Sequence, residues 1–428
     1  MIIMVANLAN LMTPKQREVW HSYLNDDWKY LINSGAVRAG KTYIDNIIFL
    51  AEIRRVKEMA AKRYDKQPKY ILAGFSSNSI YDNVISELYT TFGLNIPIDR
   101  HGHYHLFGVE IIPAYTGTKR GIGTIRGMTS YGAYVNEASL STQEVFQEII
   151  QRCSIEGARI IADTNPDNPE HWLKKDYIDK AGKETGIDAF HFTLDDNTWL
   201  SRDYIDHLKA ITPSGMYYDR SILGLWVSGE GAVYRDFDAR KMVKPTNELP
   251  LSFDKVIAGV DWGYEHACSI TVWGLRGDDW WLLEEHTKQY KEIDYWTDVA
   301  HQIQKKYGQN IPFYADSARP EHCDHFKHAG INCQYGWKSV VPGIEEVAKL
   351  MKTGHFFIAK DAPVDFMDEI YNYRWDDKAE DKPIKEADHV MDSMRYALAS
   401  YIHMQNQKKY YPKPDRKSIL AGMRRFGL

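Results

Sequence analysis

Two clusters in this 428-residue chain have residue types at spacings that chemistry requires. The first is SGAVRAGKTY, where Gly35 is followed, after four intervening residues, by Gly40, Lys41 and Thr42. Glycines at this spacing let backbone N–H groups turn towards phosphate oxygens. A lysine then reaches the terminal phosphates, and a hydroxyl holds Mg2+. Arg38 and Ala39 lie inside the loop, and Arg38 is a further phosphate-side candidate. The second cluster is EADHVMDSMRYALASYI, residues 386–402. Asp388, His389 and Asp392 fall close together on a helix whose apolar stripe is Val390, Met394, Ala397, Leu398 and Tyr401. Carboxylates one turn apart repel each other. Either the helix dipole favours acids near an N-terminus, or a cation sits among them.

A phosphate loop needs a strand before it and a helix after it. WKYLINSG reads as that strand, and KTYIDNIIFLAEIRRVKEM as that helix, with Ile44, Ile47, Ile48 and Ala51 in register. Downstream, KYILAGFS and ARIIADTN read as strands, and SNSIYDNVISELYTTF and TQEVFQEIIQRC as helices. This alternation predicts a mostly parallel sheet with helices on both faces. SYGAYVNEAS is expected to be the strand beside the loop strand, ending at Asn136 and Glu137. In a P-loop ATPase that strand ends in an acid supporting Mg2+, and the next acid polarises the attacking water. Glu137 fits the second role, while Asn136 stands where an aspartate is usual. A loop Asn-Glu that caps the following helix is the plainer alternative. Asn165, in the strand end Thr164-Asn165-Pro166, is a candidate γ-phosphate sensor or part of a turn. Gln16, in LTPKQREVW, either reads an adenine edge or lies on a helix surface. Arg126, beside Gly127 in TIRGMTS, is either an arginine finger or a solvated side chain.

Residues 228–255 are rich in turn formers and charge, which marks a domain boundary. Beyond it, KVIAGVDWGYEHACSITVWGL reads as two strands and a turn, and DWWLLEEHT as a third strand. A helix near 292–307, the strand IPFYADSARP and further helix–strand units follow. The order βββαβα is that of a ribonuclease-H-like fold. In such a fold the first and fourth strands are neighbours and the last helix packs beside them. Asp261, Asp316 and Asp392 then converge. Converged acids need cations, and hard oxygen ligands suit Mg2+ or Mn2+. Two such ions about 4 Å apart activate water for phosphodiester cleavage. Asp388 and His389 become auxiliary ligands. The expected class is α/β: an ASCE-type P-loop ATPase domain at 1–228, a linker at 229–250, a ribonuclease-H-like nuclease domain at 251–405 and a basic tail at 406–428.

Composition narrows the partners. The net charge of −5 excludes a wholesale basic coat, so nucleic-acid contacts must be local patches. Cys153, Cys268, Cys323 and Cys333 form no C-x-x-C pair and read as reduced thiols. The apolar start lacks a basic segment, so no signal peptide is expected, and no apolar run reaches the length of a membrane span.

The P-loop with VNEAS and TNP, joined to GVDWG, YADSARPE and ADHVMDSMRYAL, resembles the large terminase subunit of tailed bacteriophages over roughly residues 10–402. The resemblance implies a motor that pumps double-stranded viral DNA through a portal into a procapsid and cuts concatemeric DNA. It implies ATP with Mg2+ in the first half and two Mg2+ or Mn2+ in the second. Lys41, Thr42 and Glu137 then serve the ATPase, TNP is the coupling motif and Arg126 the trans-acting finger. Asp261, Asp316 and Asp392 form the nuclease triad, with His389 close by. The implied partners are the portal, the small terminase subunit and further copies in a ring, in the host cytoplasm. Asn136 departs from the family's usual aspartate. Rival readings are a translocase or helicase with an inactive nuclease-like half, and a nucleotide-bound assembly switch. The intact acids and Glu137 speak against them.

Overall fold

β1 (Tyr30–Gly35) is buried along nearly its whole length, as a central strand of a parallel sheet must be. The computed structural model describes residues 11–118, 121–376, 381–386 and 388–410, so the tail reading lies outside them from 411 onward. The chain divides into two units, Met1–Lys209 with Met216–Ser228, and Ala210–Gly215 with Gly229–Leu428.

In the first unit, β1 is joined by β2 (Lys69–Gly74), β3 (Tyr104–Leu106), β4 (Val109–Tyr115), β5 (Gly132–Val135), β6 (Arg159–Thr164) and β7 (Ile187–Phe192). The sheet order is β3-β4-β2-β5-β6-β1-β7, parallel except for the β3–β4 hairpin. Alternation along β2 shows how both faces are covered. Tyr70 and Leu72 join a core with Ile44, Ile47, Ile48 and Phe49 of the helix after the loop. Ile71 and Ala73 face a second core with Val145, Phe146 and Ile149. The α/β expectation holds, with one correction. The strand carrying Asn136 does not adjoin β1; β6 is inserted between them, and β6 ends in Asp163 and Thr164. The helix expected over SNSIYDNVISELYTTF also contains a π-helical turn at Tyr81–Ile85.

The second unit holds β8 (Val243–Lys244), β9 (Lys255–Asp261), β10 (Cys268–Arg276), β11 (Asp279–Lys288), β12 (Pro312–Ala315), β13 (Asn332–Tyr335) and β14 (Phe356–Ala359). Their order is β13-β12-β9-β10-β11-β14-β8. β9, β10 and β11 form an antiparallel meander, and β12 lies parallel beside β9. β8 falls inside the stretch read as a linker and pairs with β14. Ala258 and Val260 pack one face of the sheet onto Trp296, Val299 and Phe326. The last helix (His389–Tyr410) covers the other face. It approaches so closely that a Cβ on Gly259 would lie 1.9 Å from the Ser393 carbonyl oxygen. All four cysteines are free and buried. No helix among the described residues is long and apolar enough to cross a membrane.

Candidate functional site

The phosphate loop leaves β1 at Gly35, where a Cβ would sit 2.0 Å from the Phe192 carbonyl oxygen. It closes at Gly40, which caps helix α1 (Lys41–Lys62) at φ +90°. Arg38 takes φ +58° without being glycine, and its carbonyl accepts a 2.7 Å bond from Asn197 Nδ2. Such a conformation costs energy and concentrates where function demands it. The Arg38 and Ala39 positions therefore shape the loop, with Ala39 buried and Arg38 exposed. Lys41 Nζ donates to the carbonyls of Gly35 (2.9 Å) and Ala36 (2.5 Å) and to Asn165 Oδ1 (3.0 Å). Burial pushes the Lys41 ammonium down to about 8, while Asp163, Asp45 and Glu137 pull it back up. Thr42 follows, half-buried, on the first turn of α1.

Asn136 and Glu137 leave β5 beside the end of β6. Asn136 Nδ2 donates to Asp163 Oδ1 and Oδ2 at 2.9 and 3.1 Å, and the Glu137 N–H to Asp163 Oδ1 at 2.7 Å. Tyr134 Oη lies 3.2 Å from Asp163 Oδ2. Glu137 holds a left-handed backbone, φ +54°. Burial raises its carboxyl, and the charge of Asp163 raises it further against the pull of Lys41. Asp163 is the residue that sequence reasoning missed. The signal was an apolar strand, RIIAD, ending in an acid.

Gln16 is engaged at both ends of its amide. Oε1 accepts from the Thr13 N–H at 2.8 Å, and Nε2 donates to the Gly40 carbonyl at 2.8 Å. It lines a cavity of about 390 Å³ with Leu11, Gly40, Tyr43, Asn197 and Trp199. An aromatic and amide lining of this kind suits a nucleobase. Tyr43, Asn197 and Trp199 carried no sequence signal. Arg126 is exposed at the end of a short helix, Ile122–Ile125, and the structure does not tie its side chain to the loop by a hydrogen bond.

In the second unit, Asp261 ends β9 and Asp316 follows β12, its N–H donating to the Val260 carbonyl at 2.9 Å. Two buried groups fix the last helix against them. Glu369 Oε2 accepts the first-turn N–H groups of Val390 (2.7 Å) and Met391 (3.2 Å). Ser393 Oγ donates to the Gly259 carbonyl at 3.0 Å and accepts from the Thr271 N–H at 3.0 Å. His389 Nδ1 and Asp261 Oδ2 lie 3.0 Å apart. Asp392 Oδ1 accepts from buried Arg395 at 2.7 and 3.1 Å. A cavity of about 880 Å³ is lined by Asp316, Lys338, Asp388, Asp392, Arg395 and Tyr396, among others.

The acids sense one another. Asp261 is pushed up to about 7, first by burial, with Asp392 and Asp316 adding to it and His389 opposing. Asp388 is raised by burial and then by Asp392. His389 is raised chiefly by its bond to Asp261. Carboxylates crowded in this way gain from a hard divalent cation, so the donor set fits Mg2+ or Mn2+. They are not drawn as tightly as a closed metal cage. Among the described residues, the one group with three ligand atoms within 4.8 Å is Asp99, His103 and Glu110 near the β3–β4 hairpin. There Asp99 accepts the N–H groups of His101 and His103, and His103 meets Glu110 at 2.7 Å, so the turn's own bonds account for the cluster.

The family described as terminase large subunit, T4likevirus-type, N-terminal, matches residues 46–241. A large terminase from a thermophilic bacteriophage is similar in structure, with TM-score 0.75 and 26% identity over 90% of this chain and 98% of that one. The same phage protein in complex with ADP gives a TM-score of 0.72, and in complex with ATP-γ-S 0.71, at the same identity and coverage. No curated protein matches the chain.

Proposed function

We propose that the chain, which is similar to large terminase subunits of bacteriophages, hydrolyses ATP to drive double-stranded DNA through a portal into a procapsid, and cleaves that DNA with a second, metal-dependent site. We assign the motor to residues 1–228 and the nuclease to 251–405, with β8 of the 229–250 stretch pairing into the nuclease sheet. The observation that carries the ATPase reading is the convergence of Lys41, Asn165 and Glu137 around the ends of β1, β6 and β5. The thermophilic phage relative binds ADP and ATP-γ-S, and we assign the same nucleotide class here.

In the motor, Gly35, Arg38, Ala39 and Gly40 present the loop backbone to the phosphates. Lys41 neutralises the terminal phosphates, and Thr42 would hold Mg2+. Glu137, raised by burial, takes the proton of the attacking water. Asn165 already touches Lys41 and so reports the γ-phosphate to the TNP turn. Gln16 holds the loop to the base cavity. Arg126, exposed, is offered to a neighbouring copy in a ring.

In the nuclease, Asp261, Asp316 and Asp392 would hold two Mg2+ or Mn2+ ions, with Asp388 and His389 as auxiliary ligands. Such ions supply an activated water and a stabilised leaving oxygen. His389 orients Asp261 through Nδ1, and Arg395 holds one oxygen of Asp392. That ion pair is also what favours the second reading, a translocase whose nuclease-like unit is inactive. The further partners are the small terminase subunit and copies of this chain on the portal, in the host cytoplasm. Phosphate release from ATP by the wild type and Glu137→Gln tests the motor. Loss of a catalytic base is expected to cost roughly 10²–10⁴-fold in turnover. Equal turnover contradicts the assignment.

A further inference from the structure

ATP turnover as described gives no role to Asp163, although this acid stands at the end of β6, directly beside the loop strand β1. We infer that Asp163 supplies from β6 the negative charge that Asn136 cannot supply from β5, and is the carboxylate that supports the Mg2+ of bound ATP next to Lys41 and Thr42. The inference rests on the ATPase reading above.

The two strand ends are in register. Val135 on β5 pairs with Ala162 on β6, which sets Asn136 beside Asp163. The Asn136 amide is fixed in one orientation. Its Nδ2 donates to both oxygens of Asp163, while its Oδ1 accepts from Asn83 Nδ2 at 2.9 Å. An aspartate at 136 in this place would set two buried carboxylates against each other, and such a pair cannot both ionise cheaply. The facing positions 136 and 163 therefore carry one acid between them, and the chain puts it at 163.

Asp163 is 2% exposed, yet its hydrogen-bond partners are neutral: an amide, a peptide N–H and a phenol. Buried charge is ordinarily paired with a cation or a metal. Of the acids around Lys41, Asp163 pulls its ammonium up most. Three donor groups reach the two oxygens, with Asn136 Nδ2 making one contact to each, and none of them brings a positive charge. The second buried acid nearby, Asp45, accepts from Asn33 at 2.6 Å and is pushed well above the usual carboxylate range by burial and then by Asp163. Of the two, Asp163 is the one at the strand end, in contact with Asn136 and the Glu137 N–H.

The test is a titration of the full-length chain with a fluorescent ATP analogue, with Mg2+ and with EDTA, alongside phosphate release. Asp163→Asn keeps the shape and removes the charge. It is expected to weaken binding in Mg2+ by roughly tenfold or more, with little change in EDTA. The double variant Asn136→Asp/Asp163→Asn returns the charge to β5 and is expected to recover most of the Mg2+ dependence. Asn136→Asp alone, with two acids facing, is expected to fall below both in melting temperature. Lys41→Ala is run in the same titration. If Lys41→Ala loses binding while Asp163→Asn keeps the wild-type Mg2+ dependence, the inference is overturned and the ATPase reading stands. If Lys41→Ala also binds as the wild type does, the ATPase reading falls and takes the inference with it. If Asp163→Asn melts early, the double variant decides. Recovered melting with no recovery of Mg2+ dependence makes Asp163 a structural acid and overturns the inference.

Discussion

Ser393→Ala should loosen the helix that carries Asp392. The Ser393 hydroxyl is fully buried between the last helix and the sheet. It donates to the Gly259 carbonyl (3.0 Å), accepts from the Thr271 N–H (3.0 Å) and meets Thr271 Oγ1 (2.9 Å). Alanine fills nearly the same space but leaves the Thr271 N–H and the Gly259 carbonyl without this partner. A buried polar group left unsatisfied costs about 1–3 kcal/mol. Thr271 Oγ1 can turn to satisfy one of the two, so the expected loss is about 2–3 kcal/mol. Ser400→Ala is the internal comparison. Ser400 Oγ accepts one bond, from the Trp337 N–H at 2.7 Å, so its loss is expected near 1 kcal/mol. Urea unfolding, followed by tryptophan fluorescence and read on the transition of the second unit, gives both numbers. DNA cleavage by Ser393→Ala should fall as well, because Asp392 is the preceding residue. A Ser393→Ala loss below about 0.5 kcal/mol, or one no larger than that of Ser400→Ala, refutes the claim that this hydroxyl fixes the helix.

Three further outcomes are expected. Burial opposes the ionisation of Glu284, but bonds from His286, Lys306 and Tyr307 outweigh it and hold the group at about 2, below its ordinary 4.5. Its contribution is therefore full above about pH 4.5 and is lost as the pH falls towards 2. Glu284→Gln should cost at most about 3 kcal/mol at pH 7, in a gap that closes on acidification; a gap independent of pH in a denaturation series contradicts this. Gly35→Ala puts a Cβ 2.0 Å from the Phe192 oxygen at φ +150°. It should cost about 2–3 kcal/mol and abolish nucleotide binding, as read by melting and by the fluorescent analogue. Gln16→Ala removes a capping-box partner of Thr13 and the tie to Gly40, so about 1–2 kcal/mol of stability and part of the nucleotide affinity should go together.

Local features were the ones the sequence made legible. Gly35, Gly40, Lys41 and Thr42 are close in the chain, and the loop they form needs little else to define it. The strands announced themselves as apolar runs, because a parallel sheet covered on both faces leaves no polar side. The ribonuclease-H-like order followed from counting strands, and β12 does lie beside β9. Order among distant parallel strands is not local. Nothing in SYGAYVNEAS shows that β6 intervenes between it and β1, so the sequence marks Asn136 and not Asp163 as the residue beside the loop. Gln16 shows another limit. Its helix was visible, but its bond to Gly40 spans 24 residues and depends on how the helix packs. The pairing of Asp392 with Arg395 had a helical spacing that was readable. Its significance depended on Arg395 being buried, which spacing does not give. Tyr43, Asn197 and Trp199 meet in one cavity only because the fold brings distant segments together.

The most direct measurement is cleavage of supercoiled plasmid in Mg2+ or Mn2+ by the wild type, Asp392→Ala and Glu137→Gln, with ATP turnover recorded on the same preparations. The expected result is that Asp392→Ala loses metal-dependent cutting and keeps ATP turnover, while Glu137→Gln loses turnover and still cuts. An Asp392→Ala variant that cuts as the wild type does would contradict the assignment of two chemistries to the two units.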